Sequence, residues 1–167
     1  MNTAYLLLGS NEGNRAQQLQ EATDMIVSRA GVLHSCSALY ETAAWGRTDQ
    51  PDFLNAAICI RTSLDATQLL LLIQDIEAVF GRQRTVVWGQ RTLDIDILFF
   101  NDEVISLPEL QVPHPHLQNR RFVLTPLAEI AAALRHPVLH QSVAELLQQC
   151  PDTLEVRPAG HLRQHQP

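Results

Sequence analysis

Two aspartates one residue apart, in Leu93-Asp94-Ile95-Asp96-Ile97, are the sharpest chemical signal in the chain. Side chains alternate across a strand, so both carboxylates project from the face opposite the hydrophobic stripe, about 7 Å apart along the chain. Together they can hold a hard cation, or two. Magnesium takes oxygen ligands, usually from one or two protein carboxylates, and leaves positions for water and substrate phosphates. The plain alternative is an amphipathic strand showing its polar face to water. Upstream, no acidic residue falls between Glu77 and Asp94, whereas Arg82, Arg84 and Arg91 all do, in a chain that is acidic overall. Arginine forks match phosphate oxygens in bidentate geometry and stay charged at any working pH. Arginines beside a dicarboxylate are what transfer of a phosphate group requires, with polyphosphate plus magnesium as the natural ligand. Surface arginines paired with Glu77 or other acids would be the bland reading, and the neighbouring aspartates weigh against it.

Trp45, Phe53, Trp88 and Phe122 stand outside the strongest periodic stripes, and a pair of such rings could sandwich a flat heterocycle. Asn55, two residues after Phe53, would present both a donor and an acceptor to it. Loop aromatics more often plug a core, so these rings serve as support only. His114 with His116, and His136 with His140, lack two further zinc ligands at credible spacing. Leu8-Gly9-Ser10-Asn11-Glu12-Gly13-Asn14 follows a strand but matches neither the P-loop nor the dinucleotide pattern, and reads as a tight turn and helix entry. Cys36 and Cys59 fall in strands and read as small structural residues, and no cysteine is given a role.

The elements that must position these residues follow from periodicity. Thr3 to Leu8 is a short buried strand ended by Gly-Ser-Asn. From Asn14, a good N-cap, Leu19, Ala22, Ile26 and Ala30 recur at spacings of three and four, up to Gly31. Val32 to Tyr40 reads as a strand, Glu41 to Asp52 as a long loop, and Phe53 to Arg61 as an alternating strand. Asp65 with Gln68 resembles a capping box before the stripe Leu69, Leu72, Ile73, Ile76 and Phe80. Arg82 to Gln90 has no sustained periodicity. Thr92 to Phe100 is a strand with Leu93, Ile95, Ile97 and Phe99 on one face, and Asn101-Asp102 is a plausible hairpin turn into Val104-Ile105. Helical segments are expected near Pro126 to Leu134 and Ser142 to Gln149, and a polar, frayed tail after about residue 151. This β-α-β-β-α-β order predicts an α+β, ferredoxin-like antiparallel sheet with helices packed on it and C-terminal helical additions.

The 167 residues carry 12 Lys+Arg against 18 Asp+Glu, a formal charge of −6, with 46% hydrophobic residues. A single domain spanning 1–167 is expected, large enough to hold a core without disulfides or a structural metal. The negative charge argues against a protein that coats nucleic acid or membrane. Three widely spaced cysteines fit a reducing compartment, and no stretch approaches the roughly 20 apolar residues of a membrane span, so a cytoplasmic location is expected.

Several segments in fixed order resemble the 6-hydroxymethyl-7,8-dihydropterin pyrophosphokinase family of folate biosynthesis. They are Leu8-Gly9-Ser10-Asn11, Leu39-Tyr40-Glu41-Thr42, Asp52-Phe53-Leu54-Asn55-Ala56, Trp88-Gly89-Gln90-Arg91-Thr92-Leu93-Asp94-Ile95-Asp96, Pro113-His114-Pro115 and Arg120-Arg121-Phe122-Val123-Leu124. The resemblance runs from about Ala4 to about Ile130. It implies transfer of the terminal pyrophosphoryl unit of ATP to the pterin's hydroxymethyl oxygen, by attack on the β-phosphorus, with AMP as the other product. By that similarity Asp94 and Asp96 would hold two magnesium ions, with Asp94 also beside the pterin, while Arg82, Arg84 and Arg91 would balance polyphosphate charge. Phe53 and Phe122 would stack on the two pterin faces, Asn55 would read its edge, and backbone groups at Thr42 and Trp45 would complete that pocket. Gln74, Glu77, Leu110, His114 and Arg120 match positions that face ATP. Loops around Ala43 to Asp49 and Gly81 to Gln90 would act as lids, and the working unit would be a monomer. The chain departs from the family pattern where Gln90 replaces a common proline, where Ala43-Ala44 lack another, and where Thr85-Val86-Val87 lack a basic residue.

Two other classes fit parts of the pattern. A two-metal nucleotidyl transferase also combines this fold order with strand carboxylates, but needs a basic channel that −6 does not suggest. A non-enzymatic ferredoxin-like ligand-binding or RNA-binding module would carry its aromatics in strand motifs such as the RNP1 pattern, which is absent, and a pure binder has no use for D-x-D beside three arginines.

Overall fold

The computed structural model describes residues 1–43, 52–81 and 93–163. Strand β1 (Asn2–Ser10) leads into α1 (Arg15–Ala30), and Asn14 caps that helix by accepting the Gln17 N–H (3.2 Å). Gly31 then opens β2 (Gly31–Cys36) against β4, where a Cβ would stand 2.0 Å from the Arg61 carbonyl. Only glycine permits that approach. The strand expected from Val32 to Tyr40 is two strands, β2 and β3 (Ala38–Thr42), parted at Ser37. Ser37 stitches the break by accepting the Ala57 N–H through Oγ (2.9 Å) and donating that hydroxyl to the Ala38 carbonyl (2.7 Å).

Strand β4 (Phe53–Thr62) pairs with β1, β2 and β3, and α2 (Ala66–Gly81) follows. Its capping box is present: Asp65 Oδ1 accepts the Gln68 N–H (2.8 Å) while Gln68 Oε1 accepts the Asp65 N–H (2.9 Å). Strand β5 (Asp94–Phe100) pairs with β1, completing an antiparallel ferredoxin-like sheet of order β5-β1-β4-β3 with β2 also on β4. The chain is an α+β protein of the expected element order.

Three further expectations are corrected past β5. The hairpin from β5 into Val104-Ile105 does not form; β6 (Ile105–Leu107) pairs instead with β7 (Leu110–Val112) as a separate ribbon. Asn101, at φ 51, uses its side chain to accept the Thr3 N–H (2.8 Å) and so belongs to the sheet's border, not to a hairpin. Helix α3 (Arg121–Ala131) begins five residues before Pro126, which lies inside it, and α4 (Val143–Gln149) follows from its Ser142 capping box. The tail is not frayed through its length: β8 (Val156–His161) adds to the free edge of β3. Backbone pairing, and not apolar burial, orders that mostly exposed strand, so hydropathy could not reveal it.

The sheet has a core on each face. On one side Leu6, Leu8, Ile58, Ile60, Ile95 and Ile97 meet Leu19 and Ile26 of α1 and Leu69, Ile73 and Ile76 of α2. On the other, Leu7, Ala57 and Phe99 meet Val123, Leu124 and Leu127 of α3 and Val143 and Leu146 of α4. Phe99 was expected on the first face. A bulge in β5 turns it to the second: Tyr5 faces Phe99 and Leu6 faces Ile97, leaving Leu98 as an extra residue. Among the described residues no helix is long and apolar enough to cross a membrane.

Candidate active site

The second sheet face is not covered throughout. At the N-terminal end of α3 it opens into a cavity of about 380 Å³, a size suited to a small ligand. Its floor is set by strand register: Gly9 lies between Asn55 and Asp94, and Leu7 between Ala57 and Asp96. Because Ile95 and Ile97 point into the first core, Asp94 and Asp96 point the other way, into the cavity. Glu77 of α2 also lines it and accepts the Ile95 N–H (3.0 Å), tying the start of β5 to that helix.

At Gly9 any side chain would displace Asn55. An added Cβ would stand 2.5 Å from Asn55 Nδ2, in the space that amide occupies while donating to the Leu8 carbonyl (3.3 Å). Asn55 Oδ1 and Thr42 Oγ1 are buried and have no partner among the described residues. Leaving such atoms unpaired costs about 1–3 kcal/mol each, so they are poised for a polar ligand. Phe53 and Phe122 also line the cavity, from the start of β4 and the first turn of α3. Arg15 holds the strand ends here, donating through Nη1 to Glu41 (3.2 Å) and to the Asp52 carbonyl (2.6 Å).

His114 and Arg120 supply the remaining polar wall. The carbonyl of the bulged Leu98 accepts the His114 N–H (3.0 Å), so the bulge places this histidine beside the aspartates. His114 Nδ1 accepts the His116 N–H (3.4 Å), which leaves Nε2 as the donor of the neutral ring. Burial pushes the His114 pKa below its ordinary value; nearby Arg120 and His116 act the same way, and Asp96 opposes them.

Of the residues singled out from sequence, Thr42, Phe53, Asn55, Glu77, Asp94, Asp96, His114, Arg120 and Phe122 meet around this cavity. Gln74 and Leu110 do not line it: Gln74 lies one turn before Glu77 on α2, and Leu110 is buried in the first core. Trp45, Trp88, Arg82, Arg84 and Arg91 lie outside the described residues. Leu7, Gly9, Ala43 and Leu154 complete the lining without having been expected there. A glycine inside a strand pattern was a readable signal of close approach at Gly9. Leu154 had none, because only the fold of the C-terminal segment brings it here. Among the described residues no three His, Cys, Asp or Glu side chains converge as a metal cluster. The Asp94 and Asp96 carboxylates lining the cavity are oxygen donors of the kind magnesium takes, one or two at a time, alongside water and substrate oxygens.

A carboxylate pair and an arginine around a cavity in a ferredoxin-like sheet fit the class of ATP-dependent group transferases. The fold is shared with solved structures of Plasmodium falciparum HPPK-DHPS, at TM-score 0.72 and 19% identity. That likeness covers 89% of this chain and 44% of the neighbour's, so the chain spans less than half of those fused proteins. The model of the family described as 7,8-dihydro-6-hydroxymethylpterin-pyrophosphokinase (HPPK) matches residues 5–132. The 2-amino-4-hydroxy-6-hydroxymethyldihydropteridine pyrophosphokinase of Bacillus subtilis is 49% identical over 130 residues, covering 77% of this chain and 78% of its own. The enzyme of that name in Pseudomonas aeruginosa is 43% identical over 148 residues, covering 88% and 91%. The chain belongs to the HPPK family. It is a pyrophosphokinase of folate biosynthesis, an ATP-dependent diphosphotransferase.

Proposed function

We propose that this chain transfers the terminal pyrophosphoryl unit of ATP to the hydroxymethyl oxygen of 6-hydroxymethyl-7,8-dihydropterin, yielding the pterin diphosphate and AMP. The observation that carries the reading is one cavity holding two polar atoms unpaired among the described residues, two aromatic side chains and two carboxylates. Phe53 and Phe122 supply apolar faces for a flat heterocycle, while Asn55 Oδ1 and Thr42 Oγ1 accept from its N–H edge. Asp94 and Asp96 are the residues that would hold two magnesium ions, which when bound supply charge neutralisation and polarise phosphate oxygens. Glu77, His114 and Arg120 face the nucleotide end, with His114 donating from Nε2 and Arg120 carrying a fixed positive charge. Gln74 and the Leu110 backbone belong to the nucleotide's outer contacts, and Trp45 to the pterin's.

In the reaction the hydroxymethyl oxygen forms a bond to the β-phosphorus as the bond from that phosphorus to the α,β-bridging oxygen breaks. The hydroxyl loses its proton and AMP leaves with the bridging oxygen. No side-chain nucleophile takes part. Arg82, Arg84 and Arg91 stabilise charge on the transferring group, so the work of the protein is positioning and electrostatics. Residues 1–167 act as one domain and as a monomer in the cytoplasm, in keeping with three cysteines whose wide spacing matches no C-x-x-C pattern.

The test is incubation with ATP, magnesium and the dihydropterin, with chromatographic resolution of the nucleotides. AMP formed only with pterin, together with the diphosphate ester, is the expected result. ADP would show ordinary kinase chemistry and refute the reading. Replacing Asp94 or Asp96 by Ala should lower magnesium-dependent turnover by about 10²-fold or more while the far-UV circular dichroism is retained.

A further inference from the structure

The C-terminal segment lies beyond the residues matched to the family, 5–132, yet it reaches the cavity. Leu154 lines the cavity and also borders the adjoining recess beside Phe122 and Arg120. It is held there by Asp152. Asp152 Oδ2 accepts the N–H of Arg121, the first residue of α3 (3.1 Å), and Oδ1 accepts the Leu154 N–H (3.0 Å). Arg121 Nε donates back to the Asp152 carbonyl (2.9 Å). The Arg120 side chain provides no cap, so Asp152 does for α3 what a residue within the helix entry would otherwise do. The segment is tied again where Val156 pairs with Thr42 and where Arg157 meets Asp52 (3.3 Å). Both ties fall on residues flanking or lining the cavity. Phe122, Leu154, Thr42 and the Phe53 end of β4 are thus linked through one strap.

We propose that Leu154 is a specificity-determining residue for the flat heterocyclic substrate, and that Asp152 is the positioning residue that sets it against Phe122. The inference rests on the pterin reading of the site and adds a wall to it. Leu154 is half-buried, lines the cavity and the adjoining recess together with Phe122, and belongs to neither core, so its removal opens the wall without emptying either core. An apolar wall discriminates by filling space, and a lost group of this size changes affinity by about 10-fold. Asp152 acts through the strap, so its effect should not add to that of Leu154.

The full chain is titrated with 6-hydroxymethyl-7,8-dihydropterin by calorimetry, in magnesium and the α,β-methylene analogue of ATP, whose α–β bridge cannot break. Leu154→Ala is expected to weaken pterin binding by about 10-fold and to leave the affinity for the ATP analogue unchanged. Leu154→Met, which refills the volume, should restore most of the pterin affinity. Asp152→Ala should weaken pterin in the same direction, and the double variant should be no weaker than Leu154→Ala alone. Melting curves establish that each variant is folded. Unchanged pterin affinity in folded Leu154→Ala, or equal loss for both ligands, overturns the inference while wild-type pterin binding keeps the functional reading. Wild-type protein that takes up the ATP analogue but no pterin overturns both.

Discussion

At Gly9 a hydrogen atom in place of a side chain decides whether the Asn55 amide can keep its position. A methyl group there would meet Nδ2 at 2.5 Å and force the amide to turn. Gly9→Ala should therefore raise KM for the pterin well above its effect on KM for ATP, at a stability cost of about 1–3 kcal/mol from overpacking. Steady-state kinetics with each substrate varied in turn, beside a urea titration, would separate the two effects. His136 poses a different question at the same scale. It is 6% exposed, packs edge-on to Phe99, and accepts the Val138 and Leu139 N–H groups through Nδ1 (3.1 and 3.0 Å). Burial, aided by His140, holds its pKa below the ordinary imidazole value, so the folded chain keeps it neutral. The unfolded chain takes up a proton near pH 6.5, which the folded chain resists until a lower pH. Its contribution to stability is thus complete above about pH 6.5 and is lost progressively as pH falls toward the folded-state value. Urea midpoints should decline over that range, and His136→Ala should flatten the decline while costing about 1–3 kcal/mol at neutral pH for the orphaned donors.

Among the elements, capped amphipathic helices were the most legible from sequence. The Asn14 cap and the Asp65–Gln68 box both stand where their residue types indicated, because such caps are made within a few residues of chain. Asp65→Ala should lower stability by about 1 kcal/mol in a denaturant titration, with turnover little altered. Where partners come from distant chain, the local pattern misled. Pro126 looked like a helix start, yet α3 begins at Arg121 because Asp152, far along the sequence, satisfies that first N–H. The β5 bulge was equally hidden: an unbroken alternation of apolar residues ran through Phe99, and only the register against β1 turns that ring to the other face. The same bulge offers the carbonyl that fixes His114.

At the scale of the molecule, β1, β4 and β5 send side chains into both cores, so neither face can be stripped from the sheet without exposing the other's strands. This predicts one cooperative unfolding transition, with calorimetric and van't Hoff enthalpies that agree. Phe99→Ala, which empties the centre of the second core, should cost about 3–5 kcal/mol and lower the midpoint while the transition stays single. Two separate transitions would show that the α3–α4 layer unfolds apart from the rest.

The α+β class, the element order, and the alternation that turns Asp94 and Asp96 away from the hydrophobic stripe were all legible in local residue patterns. These are properties of short stretches, fixed by side-chain period and by caps made over three or four residues. The sequence also marked Phe53, Asn55, His114, Arg120 and Phe122 by motif. Tertiary structure alone decided that these share a cavity with Gly9 as its floor, that Phe99 serves the second core, and that a polar tail becomes β8 and brings Leu154 to the cavity. Each of those outcomes depends on register or hydrogen bonding between residues distant in sequence, and local hydropathy carries no record of which strand edge or which helix end a remote segment will satisfy.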